Sequence, residues 1–379
     1  MGFWGGCRDT VLIEKTCSVS AEDASVYKDT NNLMKHFLSN TAVAFLFAHA
    51  LHAADLAPLL QPILAESKLP SIAAALVIGD KIESTGAVGV RKLGSPTPVT
   101  VDDKYHLGSC TKTMTATLTA MLIKEGVLTW QTTIGDVLKS GVHKEFKGVT
   151  IEQLLAHVGG FAGECPPEIW AQAYADQGKI SPTRQRQKFA KALLDRKPDY
   201  APGTNTVYSN QGYAVAGVML ETLAKKPWED LMREKIFKPI DMKSAGFRDP
   251  KPDQPWGHKG NTPVDGDNPD AIGPAGTVHA SIGDWAKFAR YHLLNKDAKL
   301  HSTLPNSGKH GIGGWLVHDM PGMGGHCVQM IGSNTMWMAV MWILPEKNRA
   351  VVVTTNSAAT NAFETCDKVV AKLLQESAK

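Results

Sequence analysis

The feature that most constrains this chain is the placement of its strand-like runs at the two ends. Residues 72–78 are an unbroken series of Ile, Ala, Leu and Val. Gly79-Asp80 is a hairpin-type turn, and residues 82–90 continue as a second strand. Near the other end, residues 336–344 are hydrophobic, Pro345-Glu346-Lys347-Asn348 reads as a turn, and 350–355 is Val-rich. The middle, residues 127–310, is mostly helix and loop. Just ahead of it, from Thr111, apolar residues recur at helical spacing (Met114, Leu118, Met121, Leu122) until Gly126 stops the pattern. Thr150 is a possible N-cap for 151–155, and 213–223 and 285–294 are further helices. Helices over about 56–67 and 360–375 flank the whole. Two Pro-, Gly- and Asp-rich stretches, near 176–206 and 248–275, read as surface excursions. The economical fold is α+β: one antiparallel sheet built from both chain ends (about 70–100 and 310–356), flanked by helices, with an all-helical lobe (about 109–300) inserted between. A cleft is expected where the lobes meet.

Composition narrows the function classes. Of 379 residues, 43% are hydrophobic and 20% charged, an ordinary globular balance. The net charge of +3 provides no polybasic footprint, so nucleic acid is not an expected partner. Met34-Lys35-His36 begins a basic-then-apolar run that ends in small residues at Ala50, Ala53 and Ala54. That order is the pattern of a secretory signal peptide. It divides the chain into an upstream extension plus signal (1–54, the signal about 34–54) and a mature domain (55–379). It predicts a secreted or periplasmic protein with no stable membrane span after cleavage. The mature cysteines Cys110, Cys165, Cys327 and Cys366 form no C-x-x-C pair and no Cys/His cluster at zinc spacing. No metal or cofactor is expected.

Chemistry concentrates at Ser109 and Lys112. A serine hydroxyl is a poor nucleophile at neutral pH and needs a base within hydrogen-bond reach. Residues three apart at a helix start share a face, so Lys112 is placed to be that base if burial lowers its pKa. S-x-x-K also occurs at Ser25–Lys28, but upstream of the signal. Tyr208-Ser209-Asn210 is the sole Y-x-N of the chain and leads into an apolar helix. A phenol bonded to the lysine can relay a proton, and an Asn two residues on can hold a substrate carbonyl.

In order and spacing these segments resemble the serine β-lactamase and penicillin-binding-protein superfamily, in particular its class C and family VIII esterase branch. The resemblance spans about residues 56–375. It is carried by Tyr105-His106-Leu107-Gly108-Ser109-Cys110-Thr111-Lys112, by the segment from Val149 to His157, by Tyr208-Ser209-Asn210, by the segment from Ile236 to Met242, by Gly276-Thr277-Val278-His279 and by Gly332-Ser333-Asn334. It implies a β-lactamase-like fold and an acyl-enzyme mechanism. Ser109 would be the nucleophile, with Lys112 and Tyr208 sharing acid–base work. Asn210 and Ser333 would meet the substrate, and the backbone N–H groups of Ser109 and Ser333 would form the oxyanion hole. The implied substrate is a small ester, amide or β-lactam.

The third motif of such proteins, Lys or His then a small residue then Gly, is not kept. Lys139-Ser140-Gly141 and His258-Lys259-Gly260 fall in the wrong places, and Met330-Ile331-Gly332 occupies the aligned position. Methionine carries no charge and donates no hydrogen bond. Recognition of a substrate carboxylate is therefore expected to weaken while acyl transfer survives, which favours an esterase or amidase. His326 is a candidate to swing into the gap. A true class C β-lactamase, a D-amino-acid peptidase and a non-catalytic binding protein stay open as alternatives. His157 reads as a structural helix residue, Trp315, Trp337 and Trp342 as core, and Cys110 as inward-facing.

Overall fold

The computed structural model describes residues 53–377 apart from 251, 252 and 296. The leader-like run from Met34 to His52 lies outside the described residues. The sheet strands, in chain order, are Ala54–Asp55 (β1), Ser71–Ile78 (β2), Lys81–Gly89 (β3), Leu316–Met320 (β4), Gly325–Ser333 (β5), Met338–Leu344 (β6) and Arg349–Thr355 (β7). Their spatial order is β1-β3-β2-β7-β6-β5-β4, so the two chain ends meet at the centre of the sheet. Every pairing is antiparallel except the two-residue contact of β1 with β3. Strand β2 faces β7 from Ala73 opposite Thr354 to Ile78 opposite Arg349.

Layers on both faces explain why β2 and β7 are apolar without alternation. On one face helices Ala57–Ser67 (α1) and Ala362–Glu376 (α5) cover Leu76, Val340, Trp342, Val351 and Val353. On the other, Ala73, Ala75, Met341 and Val352 join a core that includes Trp285 and Phe288 of helix Ile282–Asn295 (α4) and runs on into the inserted lobe. In the lobe, helices Thr111–Lys124 (α2) and Asn210–Ala224 (α3) are buried nearly all round. The lobe region also carries a three-stranded sheet (Lys104–His106, Val278–Ser281, Gly246–Phe247) and the two-stranded pair Gly257–Lys259 and Thr262–Val264. Among the described residues no helix is long and apolar enough to cross a membrane.

Thr150 caps Ile151–Leu155 as the sequence predicts. Its hydroxyl accepts the Gln153 N–H at 3.2 Å, and the Gln153 side chain accepts the Thr150 N–H at 3.0 Å. Thr150→Ala removes one half of this reciprocal box and is expected to lower stability by about 1 kcal/mol, measured by urea denaturation.

The two polar stretches are not mere excursions. The first holds the helix Pro182–Leu194, which buries Phe189, Ala190, Leu193 and Leu194. Arg186 of that helix is fully buried, 2.8 Å from Glu221 and 3.0 Å from Glu229, and donates to the Asp270 carbonyl at 2.9 Å. A helix whose buried face carries a compensated charge looks polar in sequence. The second stretch ends in a buried turn, Asp270–Ile272, that runs into Gly273–Gly276.

Candidate active site

Ser109 sits half-buried on a short 3-10 turn, Gly108–Cys110, that runs into α2. His106 holds this turn from below: its Nδ1 accepts the Gly108 N–H at 3.0 Å. The other ring nitrogen lies 3.0 Å from Asp267 Oδ1. Gly108 has φ +50°, and a Cβ there would stand 2.6 Å from the Ser333 nitrogen. A Cβ on Gly332 would in turn collide with the Leu107 carbonyl. Two glycines thus let the end of β5 press its backbone against the Ser109 turn. The Ser333 backbone is thereby brought against the turn that carries Ser109.

Lys112, one turn along, is fully buried. Its Nζ lies 3.2 Å from Ser109 Oγ, 2.7 Å from Asn210 Oδ1 and 2.8 Å from the Ala275 carbonyl. Burial without a carboxylate partner holds its pKa well below 10.5. Tyr208 closes the group, its hydroxyl donating to Ser109 Oγ at 2.5 Å. The residue is 39% exposed, yet desolvation around it pushes the phenol above its ordinary range. Ser209 caps α3 through its hydroxyl, which accepts the Gly212 N–H at 3.2 Å, and this sets Asn210 at the helix start. Its carbonyl oxygen goes to Lys112, so the NH2 of that amide is the end left to meet a substrate carbonyl.

The Ala275 carbonyl is strapped down independently. Thr115 Oγ1 donates to the Pro274 carbonyl at 2.8 Å, and Val278 N–H donates to Thr111 Oγ1 at 3.0 Å. Gly217 of α3 leaves room for the Pro274 ring, which a Cβ would strike. Lys112 therefore meets two fixed acceptors, one side chain and one backbone.

Ser109, Lys112, Tyr208, Asn210 and the Ser333 backbone all come together. Met330 is 3% exposed, opposite Met341 in the core on β5. His326 does not replace it. It stands four residues earlier on β5, about 13 Å along the strand, with its ring exposed beside His301 at 6.2 Å. Cys110 is buried, and burial pushes its thiol pKa up, so it is no rival nucleophile. Among the described residues no group of three His, Cys, Asp or Glu is placed to hold a metal. Sequence reasoning missed the Ala275 carbonyl and His310, and it read His157 as a helix residue, whereas His157 stands past the helix end with its ring against Tyr208. A backbone acceptor leaves no residue signature, and His310 lies far from any motif.

The sheet with its inserted lobe, and a Ser–Lys–Tyr cluster where they meet, define an α+β protein of the β-lactamase-like class. Residues 56–375 match the family model described as Beta-lactamase, and the chain belongs to that family. It is 29% identical over 250 residues to Penicillin-binding protein 4 of Amycolatopsis lactamdurans, covering 60% of each chain. It is 25% identical to Unguisins hydrolase ungD of Aspergillus violaceofuscus, over 61% of this chain and 43% of that protein. The aligned part thus spans less than two thirds of the first relative and less than half of the second. In fold it is similar to an octameric penicillin-binding protein homologue from Pyrococcus abyssi (TM-score 0.68, 22% identity, covering 84% of this chain and 77% of that one).

Proposed function

We propose that the protein is a serine hydrolase that forms an acyl-enzyme at Ser109 on a neutral ester or amide substrate. The observation that carries this reading is the placement of Ser109 Oγ within hydrogen-bond distance of both Tyr208 and Lys112. A neutral amine has two N–H donors and one lone pair. Asn210 Oδ1 and the Ala275 carbonyl take the two donors, which leaves the lone pair for the Ser109 hydroxyl proton. The pKa directions agree with that assignment, Lys112 lowered and Tyr208 raised.

Ser109 Oγ attacks the substrate carbonyl carbon as its proton passes to Lys112 Nζ. The oxyanion is met by the backbone N–H groups of Ser109 and Ser333, each such donor contributing roughly 3–4 kcal/mol. Tyr208 gives its proton to the leaving oxygen or nitrogen and is reprotonated from Lys112. Water then attacks the acyl carbon, its proton passing to the same pair, and the acid product leaves with Ser109 restored. Met330 supplies no cation for a substrate carboxylate, which is why a neutral ester or amide is preferred to a β-lactam or a C-terminal D-amino acid. The apolar run from Met34 supports export of a domain that begins near residue 55.

Intact mass after treatment with a fluorophosphonate tests the nucleophile: one adduct on the native protein and none on Ser109→Ala is expected. No adduct on the native protein, or one that persists in Ser109→Ala, would refute the reading. In parallel, a neutral nitrophenyl ester should exceed a chromogenic cephalosporin in kcat/KM by tenfold or more. Faster cephalosporin turnover would make the protein a β-lactamase, and acylation with no product release would make it a binding protein.

A further inference from the structure

We propose that His157 is a positioning residue that sets the Tyr208 phenol against Ser109. It does so from three sides. The His157 carbonyl accepts the Val207 N–H at 3.0 Å, and its Nδ1 accepts the Ser209 N–H at 3.1 Å, so one residue grips the backbone on each side of position 208. Its ring also lies against the phenol, with centroids 4.6 Å apart and planes 34° off parallel.

The local backbone is unusual enough to need a reason. His157 follows the short helix Ile151–Leu155 and has φ +62°, the left-handed region that a residue with a Cβ avoids. Glycine would relieve that strain but offers no acceptor to the Ser209 N–H, and asparagine would relieve it and offer one but has no ring to lie against the phenol. The residue is 1% exposed, and its Nε2 has no hydrogen-bond partner among the described residues. Because Nδ1 accepts, Nε2 carries the hydrogen. An unpaired buried N–H is unfavourable, and the fold keeps it where the ring supports Tyr208. Three further groups surround the pair. Lys112 of α2 lies over the Tyr208 ring, Tyr213 of α3 packs on His157 at 5.4 Å, and His310 packs edge-on to it at 5.2 Å and 6.3 Å from Tyr208. Burial and the His310 ring keep His157 neutral.

The inference rests on the reading of Ser109 as nucleophile and Tyr208 as proton donor, so fluorophosphonate labelling of the native protein comes first. If the native protein is not labelled at Ser109, that reading fails and takes this one with it. With labelling established, His157→Gly relieves the strained φ while removing the ring and the acceptor. Its kcat for a neutral ester should fall about 100-fold, the loss typical of an approximately 1 Å misplacement, with KM within about threefold. Water admitted beside the phenol relieves its desolvation, so the basic limb of the pH profile should move to lower pH. His157→Asn keeps a δ acceptor and tolerates positive φ, so it should recover part of the loss. It also serves if the glycine variant does not fold. A folded His157→Gly with native kcat would overturn the inference. So would a loss of activity that tracks lowered Tm with the pH profile unmoved, or an Asn variant no better than Gly.

Discussion

Lys112→Arg should lower kcat/KM for a neutral ester by about 10²–10⁴-fold, the range set by one acid–base group, and by as much as Lys112→Met does. The prediction separates a base from a mere cation. Arginine keeps the charge but cannot lose its proton, and its planar fork does not fit between Asn210 Oδ1 and the Ala275 carbonyl. If the two variants differ, with Arg retaining most activity, Lys112 acts by charge alone. The pH profile of the native enzyme should agree. The acidic limb belongs to Lys112, held well below 10.5 by burial, and the basic limb to Tyr208, raised by burial. Activity should therefore rise along an acidic limb well below pH 10.5 and fall only above the ordinary phenol range.

The same depressed pKa has a sign for stability. Between its folded pKa and about 10.5, the unfolded chain binds a proton that the folded chain releases. Stability then rises with pH across that window, and at neutral pH the buried amine is a net cost. Lys112→Met should consequently raise Tm while removing activity, measured by thermal unfolding at pH 7. A lowered Tm would argue that the amine is paired and charged in the fold.

Arg186→Leu should be the more damaging change for the fold, costing about 3–5 kcal/mol. It leaves Glu221 and Glu229 facing each other without their shared cation, and the Asp270 carbonyl without its donor. The triple variant Arg186→Met, Glu221→Gln, Glu229→Gln should recover much of that loss. It removes the stranded charge and keeps an acceptor for the Trp228 N–H, which Glu221 Oε1 takes at 3.0 Å. Because Asp270 begins the turn that delivers Ala275 to Lys112, the single variant should lose activity at temperatures where it is still folded. Urea unfolding of the three proteins decides the matter. Equal destabilisation of single and triple variants would show that packing, not uncompensated charge, is what Arg186 supplies.

Much of this was legible from residue order alone. The apolar run at 72–78 and the Val-rich run at 350–355 read as strands, so one sheet built from both chain ends was readable before any geometry, but the pairing of β2 with β7 at its centre was not. The spacing of Ser109 to Lys112 and the later Tyr208 and Asn210 told which side chains would meet. The rest was hidden for physical reasons. Helix Pro182–Leu194 buries Arg186 instead of an aliphatic residue, and a pattern read by hydropathy calls that surface. Gly108 and Gly332 matter through the atoms they do not have. His157 acts partly through its carbonyl and its φ, neither of which a side-chain motif encodes. Met330 was correctly placed on the strand beside the nucleophile, and burial in the core explains why a methionine is stable there.

The meeting of the chain ends in mid-sheet bears on how the molecule is made. Ser71 Oγ donates to Asn356 Oδ1 at 2.6 Å across 285 positions of sequence, and the Ser333 backbone packs against Gly108 from far along the chain. A ribosome releasing this chain from the front exposes β2 and β3 long before β7 emerges to cover them. Contacts of such long range close slowly, and unpaired edges of this kind invite association with other chains. The lobe carrying Ser109, Lys112 and Tyr208 can gather its helices early, but catalytic competence should arrive late and abruptly, with the last two strands. In cell-free translation, release of the finished chain, rather than synthesis of the Ser109 segment, is then the moment at which fluorophosphonate reactivity should first be detectable.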